Sequence, residues 1–176
     1  YFEGRECNVR DMEECRQAIR LLADFHNAAC VEKSDSEIIM LRDVNAEFEK
    51  HNRELKRVKK YLKDRGQKTD FELYLMKSYD YFLDTALQVT KEAAALNSKS
   101  AKSYICHGDY QHHNIIISDG NMHIINLEKC GQDCPMRDLY LFLRKLLEKN
   151  SWSVSLGLSI LTAYETQRIL SERDRR

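Results

Sequence analysis

Apolar residues recur at three- and four-residue intervals from Met12 through Cys15, Ile19, Leu22, Phe25 and Ala29, which is the spacing of one helix face. A helix is therefore expected over about residues 12–31. Asp11, with Glu14 three positions later, gives it a capping-box-like start in which Asp replaces the usual Ser or Thr. The residues before it carry no period and read as an extended or looped lead-in. A second stripe, Leu41, Val44, Phe48, Leu55, Val58 and Leu62, follows Ser36 and stops near Gly66, with Glu, Lys and Arg on the other faces. Thr69 and Glu72 form another capping box, and Phe71, Tyr74, Leu75, Phe82, Ala86, Val89, Ala93 and Leu96 carry a third long helix to about Leu96.

Past the polar loop Asn97-Ser98-Lys99-Ser100 the period changes. Tyr104-Ile105-Cys106, Ile115-Ile116-Ile117 and Met122-His123-Ile124-Ile125 read as short strands, and Ser118-Asp119-Gly120-Asn121 between the last two is a hairpin turn. Beyond Pro135, Met136, Leu139, Leu143, Leu146 and Leu147 rebuild a helical stripe. A last helix is expected from Val154 to Leu170, with Leu158, Leu161, Tyr164 and Ile169 inward. The fold class is α+β, mainly helical, with a small β-hairpin, and no repeat, low-complexity tract or linker divides it.

Composition narrows the function. A chain of 176 residues forms one domain, or at most two small ones. Lys plus Arg and Asp plus Glu both total 28, so the chain lacks the basic excess of a nucleic-acid or anionic-membrane binder. No apolar run approaches the ~20 residues that span a bilayer. No secretory signal is visible, and the opening Tyr1 points to a start inside a longer protein. The single Pro and six Gly fit long helices with few turns. Six cysteines at irregular spacing read as reduced thiols, and Cys130 and Cys134 have no second pair with which to build a zinc knuckle.

The chemistry concentrates in His107-Gly108-Asp109-Tyr110-Gln111-His112-His113-Asn114. His-x-Asp, four residues, then Asn is the spacing of a phosphoryl-transfer loop: the Asp accepts the proton of the attacking hydroxyl, and the Asn turns an amide oxygen toward a cation on the nucleotide phosphates. The separation lets both side chains reach one cleft from opposite ends of the loop.

These residues resemble the aminoglycoside and choline kinase-like family, whose loop reads His-Gly-Asp-x-x-x-x-Asn, and within it the CotS-type spore coat proteins. The likeness extends to Gly4-Arg5-Glu6-Cys7, Leu22-Ala23-Asp24-Phe25-His26, Ile125 to Glu128 and Arg137-Asp138-Leu139. It implies the C-terminal lobe of a protein kinase-like fold over 1–176, with the hairpin carrying the catalytic and metal segments. It also implies ATP and Mg²⁺ as cofactors, His107 and Asp109 in the catalytic loop with Asp109 as base, Asn114 as a metal ligand, and Asp138 as support behind the loop. Where the family has Ile-Asp-Phe-Glu, with Asp the main metal ligand, this chain has Ile125-Asn126-Leu127-Glu128. An amide brings no charge, so weaker metal binding at Asn114 and Asn126 is expected. If the segment is a strand, alternation turns Glu128 to the same side as Asn126, where it could supply the missing carboxylate.

The Gly-rich loop and strand Lys of a kinase do not occur before the first helix, so the nucleotide lobe is expected outside this chain, and the resemblance implies that the far end is truncated too. The resemblance implies a spore coat protein of the mother-cell cytoplasm or assembled coat, transferring phosphate from ATP to a small-molecule hydroxyl. The alternatives are a catalytically weak structural module bound to other coat proteins, and an antibiotic phosphotransferase. Among single residues, His26 reads as a hydrogen-bonded core histidine, Cys106 as a buried thiol, and Trp152 as packing for the last helix. His112 and His113 lie inside the loop, where a substrate could pass.

Overall fold

A computed structural model describes residues 3–32, 44–96, 102–172 and 174–175. The chain divides into two units, 42–100 and the remainder, although no linker composition marks the division.

The 42–100 unit is a helical hairpin of α2 (Val44–Asp64) and α3 (Asp70–Leu96). The capping box forms as its residues require: Thr69 N–H donates to Glu72 Oε2 at 2.7 Å and Glu72 N–H returns to Thr69 Oγ1 at 3.3 Å. Cross-links Arg65–Glu72, Lys59–Asp80 and Asn52–Thr90 run in opposite directions along the two helices, so they are antiparallel. Leu62 and Tyr79 are buried, whereas Phe71, Tyr74 and Phe82, placed by their spacing on the inward stripe, are exposed. Apolar spacing marks a face without saying what covers it. Ser36, Leu41 and the loop 97–100 lie outside the described residues.

The larger unit contains β1 (Arg5–Glu6), α1 (Met12–Ala28), β2 (Cys30–Glu32), β3 (Lys102–Cys106), β4 (Ile115–Ser118), β5 (Asn121–Ile124), β6 (Gly131–Asp133), α4 (Pro135–Lys149) and α5 (Val154–Glu165). Two antiparallel three-stranded sheets form, in the orders β1-β4-β5 and β2-β3-β6. Helix α1 stops before the expected end, because Cys30 to Glu32 pair with β3 as a strand. Its cap is half the expected box. Asp11 accepts the N–H groups of Glu13 and Glu14, but Glu14 turns away to Arg5 and to Asn8 N–H.

Ile19, Leu22, Tyr110, Phe142, Leu146, Ile160 and Tyr164 form the core between α1, α4 and α5. Burying each such side chain stabilises by roughly 1.5–3 kcal/mol. The last helix ends at Glu165 rather than Leu170, so Ile169 is 84% exposed, and Leu158 also faces out. Trp152 does not pack as expected: it is 61% exposed beside a shallow groove that includes Leu139 and Leu147. No described helix is long and apolar enough to cross a membrane. The six cysteines form no disulfide, and Cys106 is buried, with burial raising its pKa far above the usual thiol range.

Candidate functional site

Strand register delivers the site. The turn Asp119-Gly120 has φ of 49° and 76°, the left-handed conformations that a two-residue hairpin requires. It pairs Ser118 with Asn121 and Ile115 with Ile124, after which Ile125 N–H donates to Asn114 O at 3.0 Å. Asn126 therefore emerges beside Asn114. At the other end of the loop, Cys106 pairs with Gly131, so the segment after Asn126 is carried back against the residues that follow β3.

Behind the loop stands Asp138, fully buried at the start of α4. Its carboxylate accepts the backbone N–H of His107 at 2.6 Å, that of Gly108 at 2.9 Å, and His26 Nε2 at 3.2 Å. His26 Nδ1 in turn meets the Tyr164 hydroxyl at 2.8 Å. A buried carboxylate survives because three donors replace its water. His26 is the hydrogen-bonded core histidine its position suggests, with a role the residue pattern does not reveal, since it orients the anchor of the loop. Cys106 lies close to His26 and Asp138, but both His26 nitrogens and the Asp138 carboxylate are already bonded.

His107 is also fully buried, and its tautomer follows from its partners. A carbonyl only accepts, so Nε2 donates to Ile125 O at 2.9 Å; a backbone amide only donates, so Nδ1 accepts Asp109 N–H at 3.2 Å. His107 and Asp138 are thus both fully buried, with their polar atoms committed to backbone groups in and beside the loop and, for Asp138, to His26. Gly108 has φ +77°, and a Cβ there would lie 2.4 Å from Lys129 O, so only glycine lets the two backbones approach. Tyr110 locks the loop to the core by donating to Ala18 O at 2.6 Å.

The Asp109 side chain is part-exposed, and Asn114 is buried against it. Asn114 Nδ2 donates to Asp109 O at 2.8 Å, which leaves its Oδ1 to accept Asn126 Nδ2 at 2.7 Å. Asp109 Oδ1 accepts Gln111 Nε2 at 3.0 Å, and Oδ2 accepts Lys129 Nζ at 2.6 Å. Sequence spacing does not reveal the Lys129 partnership. Asn126 adopts φ 60°, ψ 57°, a left-handed conformation that Asn tolerates, and Leu127–Lys129 form a 3-10 turn. Residues 126–128 are therefore not a strand, and the alternation that turned Glu128 toward Asn126 does not apply. Glu128 is exposed on the turn.

The donor set falls short of what Mg²⁺ takes. Magnesium is held through one or two carboxylates, whereas Asn114 and Asn126 are uncharged amides already bonded to each other, and Asp109 is paired with an ammonium.

At the loop's far end, His112 is buried and accepts from Lys149 at Nε2 (2.9 Å). Its Nδ1 then carries the proton and is buried with no hydrogen-bond partner among the described residues. Burial pushes this imidazole down to about 4, with His113 and Lys149 adding to the effect. His113 Nδ1 lies 2.6 Å from Glu6 Oε2.

A family profile described as APH, a phosphotransferase enzyme family, matches residues 1–176. Comparison with curated proteins returned no match. Among solved structures, an aminoglycoside phosphotransferase from Alicyclobacillus acidocaldarius is similar at 20% identity and TM-score 0.80, with 99% of this chain and 53% of that one covered. A glucosamine kinase in complex with glucosamine, ADP and inorganic phosphate is 12% identical at TM-score 0.54, with 92% and 45% covered. An ethanolamine kinase from Plasmodium vivax is 14% identical at TM-score 0.50, with 96% and 49% covered. At these identities the likeness concerns the fold, and the chain spans about half the length of these structures.

Proposed function

The chain belongs to the phosphotransferase enzyme family, and from that premise we propose that it is the C-terminal, catalytic-loop lobe of a small-molecule kinase. Its reaction is transfer of the ATP γ-phosphoryl group to an acceptor hydroxyl. The hydroxyl oxygen bonds to the γ-phosphorus as the bond to the β–γ bridging oxygen breaks. ADP leaves with that electron pair, and the hydroxyl proton passes to Asp109. The observation that carries this reading is the loop anchored by Asp138, with His107 buried and the Asp109 carboxylate part-exposed. Asn114 supports it by holding the Asp109 backbone and facing Asn126. Mg²⁺, implied with ATP by the sequence resemblance, does not fit the residues present: Asn114 and Asn126 are uncharged amides bonded to each other, and Glu128 stands exposed on the turn that follows.

The sequence likeness to CotS-type proteins supports a place in the spore coat, with a phosphotransferase fold serving there. A second reading, a kinase-like coat module with weak or no catalysis, is favoured by one observation: the Asn126–Asn114 amide pair. Thermal protection of the full-length protein by ATP separates the two. Protection that is lost in Asn114→Ala supports the enzyme, and no shift at millimolar nucleotide supports the structural module.

A further inference from the structure

We propose that Lys129 is the cation this site brings to the terminal phosphate of a bound nucleoside triphosphate, in place of much of the charge that a divalent ion would supply. The inference rests on the phosphotransferase reading above and assigns a role to a residue outside the loop motif.

Three observations converge on it. The first is charge. The positions facing each other at the loop mouth, Asn114 and Asn126, carry none, and the amide oxygen of Asn114 is occupied by the Asn126 amide at 2.7 Å. The amide pair therefore brings no carboxylate of the kind Mg²⁺ ordinarily takes, and the Asp109 carboxylate beside it is paired with Lys129.

The second is position. Lys129 Nζ lies 2.6 Å from Asp109 Oδ2. If Asp109 accepts the proton of the attacking hydroxyl, a group bonded to the same carboxylate lies within about 5–6 Å of that hydroxyl oxygen, and so beside the phosphoryl group being transferred. The Lys129 side chain is 52% exposed, and its four-carbon stem has the freedom to move its ammonium by that distance. In phosphoryl transfer the charge lies on the equatorial phosphate oxygens, which an ammonium neutralises as a point charge.

The third is construction. Lys129 is held against the loop by backbone as well as by its ion pair. The left-handed Asn126 starts a 3-10 turn closed by Cys130 N–H to Leu127 O at 3.0 Å, and the Lys129 carbonyl abuts Gly108. The ammonium thus has a fixed root beside Asp109. With a phosphate present it bridges the two anions; without one it rests on Asp109.

The test measures nucleotide affinity in the full-length protein, with ATP and ADP, each in excess Mg²⁺ and in EDTA. The wild type should bind ATP in EDTA within about threefold of its affinity in Mg²⁺. Lys129→Met should weaken ATP about tenfold in both media and leave ADP within about twofold, because the lost contact is to the terminal phosphate. Lys129→Arg should recover most of that loss. In a Lys129→Met background, Asn126→Asp should restore ATP affinity in Mg²⁺ but not in EDTA. Loss of wild-type ATP affinity by more than about thirtyfold in EDTA, with Lys129→Met indistinguishable from wild type, overturns this inference and leaves the phosphotransferase reading standing. Absence of ATP binding by the wild type in both media overturns that reading, and this inference with it.

Discussion

The carboxylate of Asp138 accepts the backbone N–H of His107 at 2.6 Å, tying the first residue of the loop to the first turn of α4. The neighbouring N–H of Gly108 and the His26 imidazole complete its shell. Asp138→Ala leaves two backbone donors and His26 without their acceptor, at a cost of about 3 kcal/mol. Asp138→Asn, which keeps one acceptor oxygen, should cost less. Urea unfolding of the three proteins checks the order.

Gly108 and Gly120 share nearly the same φ, +77° and +76°, but only Gly108 faces backbone, with Lys129 O 2.4 Å from where a Cβ would stand. Gly120→Ala should cost about 1–2 kcal/mol from the left-handed conformation alone. Gly108→Ala should exceed it by at least about 1 kcal/mol, because two backbones must separate. Equal losses in paired denaturation curves would show that the close approach carries no energy.

Acid should loosen the far end of the loop. The folded His112 is held down to about 4, below its ordinary value near 6.5, so the unfolded chain takes up a proton first as pH falls. The contribution is fully present above about pH 6.5 and drains away on acidification toward pH 4. His113, Lys149, Glu6 and Lys145 are the charged or titratable neighbours that act on it. With screening by solvent, about 1 kcal/mol should be lost between pH 7 and pH 5 beyond the loss in His112→Gln. Matched urea midpoints at the two pH values measure the difference.

Thiol reactivity should follow burial. Cys30 and Cys134 are exposed, whereas Cys7, Cys15 and Cys106 are buried with pKa values raised by burial. A disulfide reagent should modify the exposed pair within minutes in native protein and reach the buried three only after denaturant is added.

Local rules carried much of the fold. The Thr69–Glu72 box, the Asp119-Gly120 turn and the apolar stripe of α1 each depend on residues within a few positions, and each forms as its chemistry requires. The loop His107–Asn114 stood out by its spacing, and the structure brings Asp109, Asn114 and Asn126 together as that spacing requires. Facing was harder to read, as exposed Leu158, Ile169 and Trp152 show, because periodicity marks an apolar stripe without naming its partner. Cys30 to Glu32 became a strand through partners that stand 70 or more positions further along the chain. Lys129 was invisible for a different reason: one left-handed residue, Asn126, turned an expected strand into a 3-10 turn and redirected everything after it.

The most direct measurement is acceptor-dependent ADP formation by the full-length protein, across a panel of amino sugars and amino alcohols that includes glucosamine and ethanolamine. If Asp109 is the base of a small-molecule kinase, at least one hydroxyl compound stimulates ADP release, and Asp109→Asn lowers the rate by about 10²–10⁴-fold while the fold is retained. Stimulated release that is unchanged in Asp109→Asn, or no stimulation of the wild type by any member of the panel, would contradict that reading.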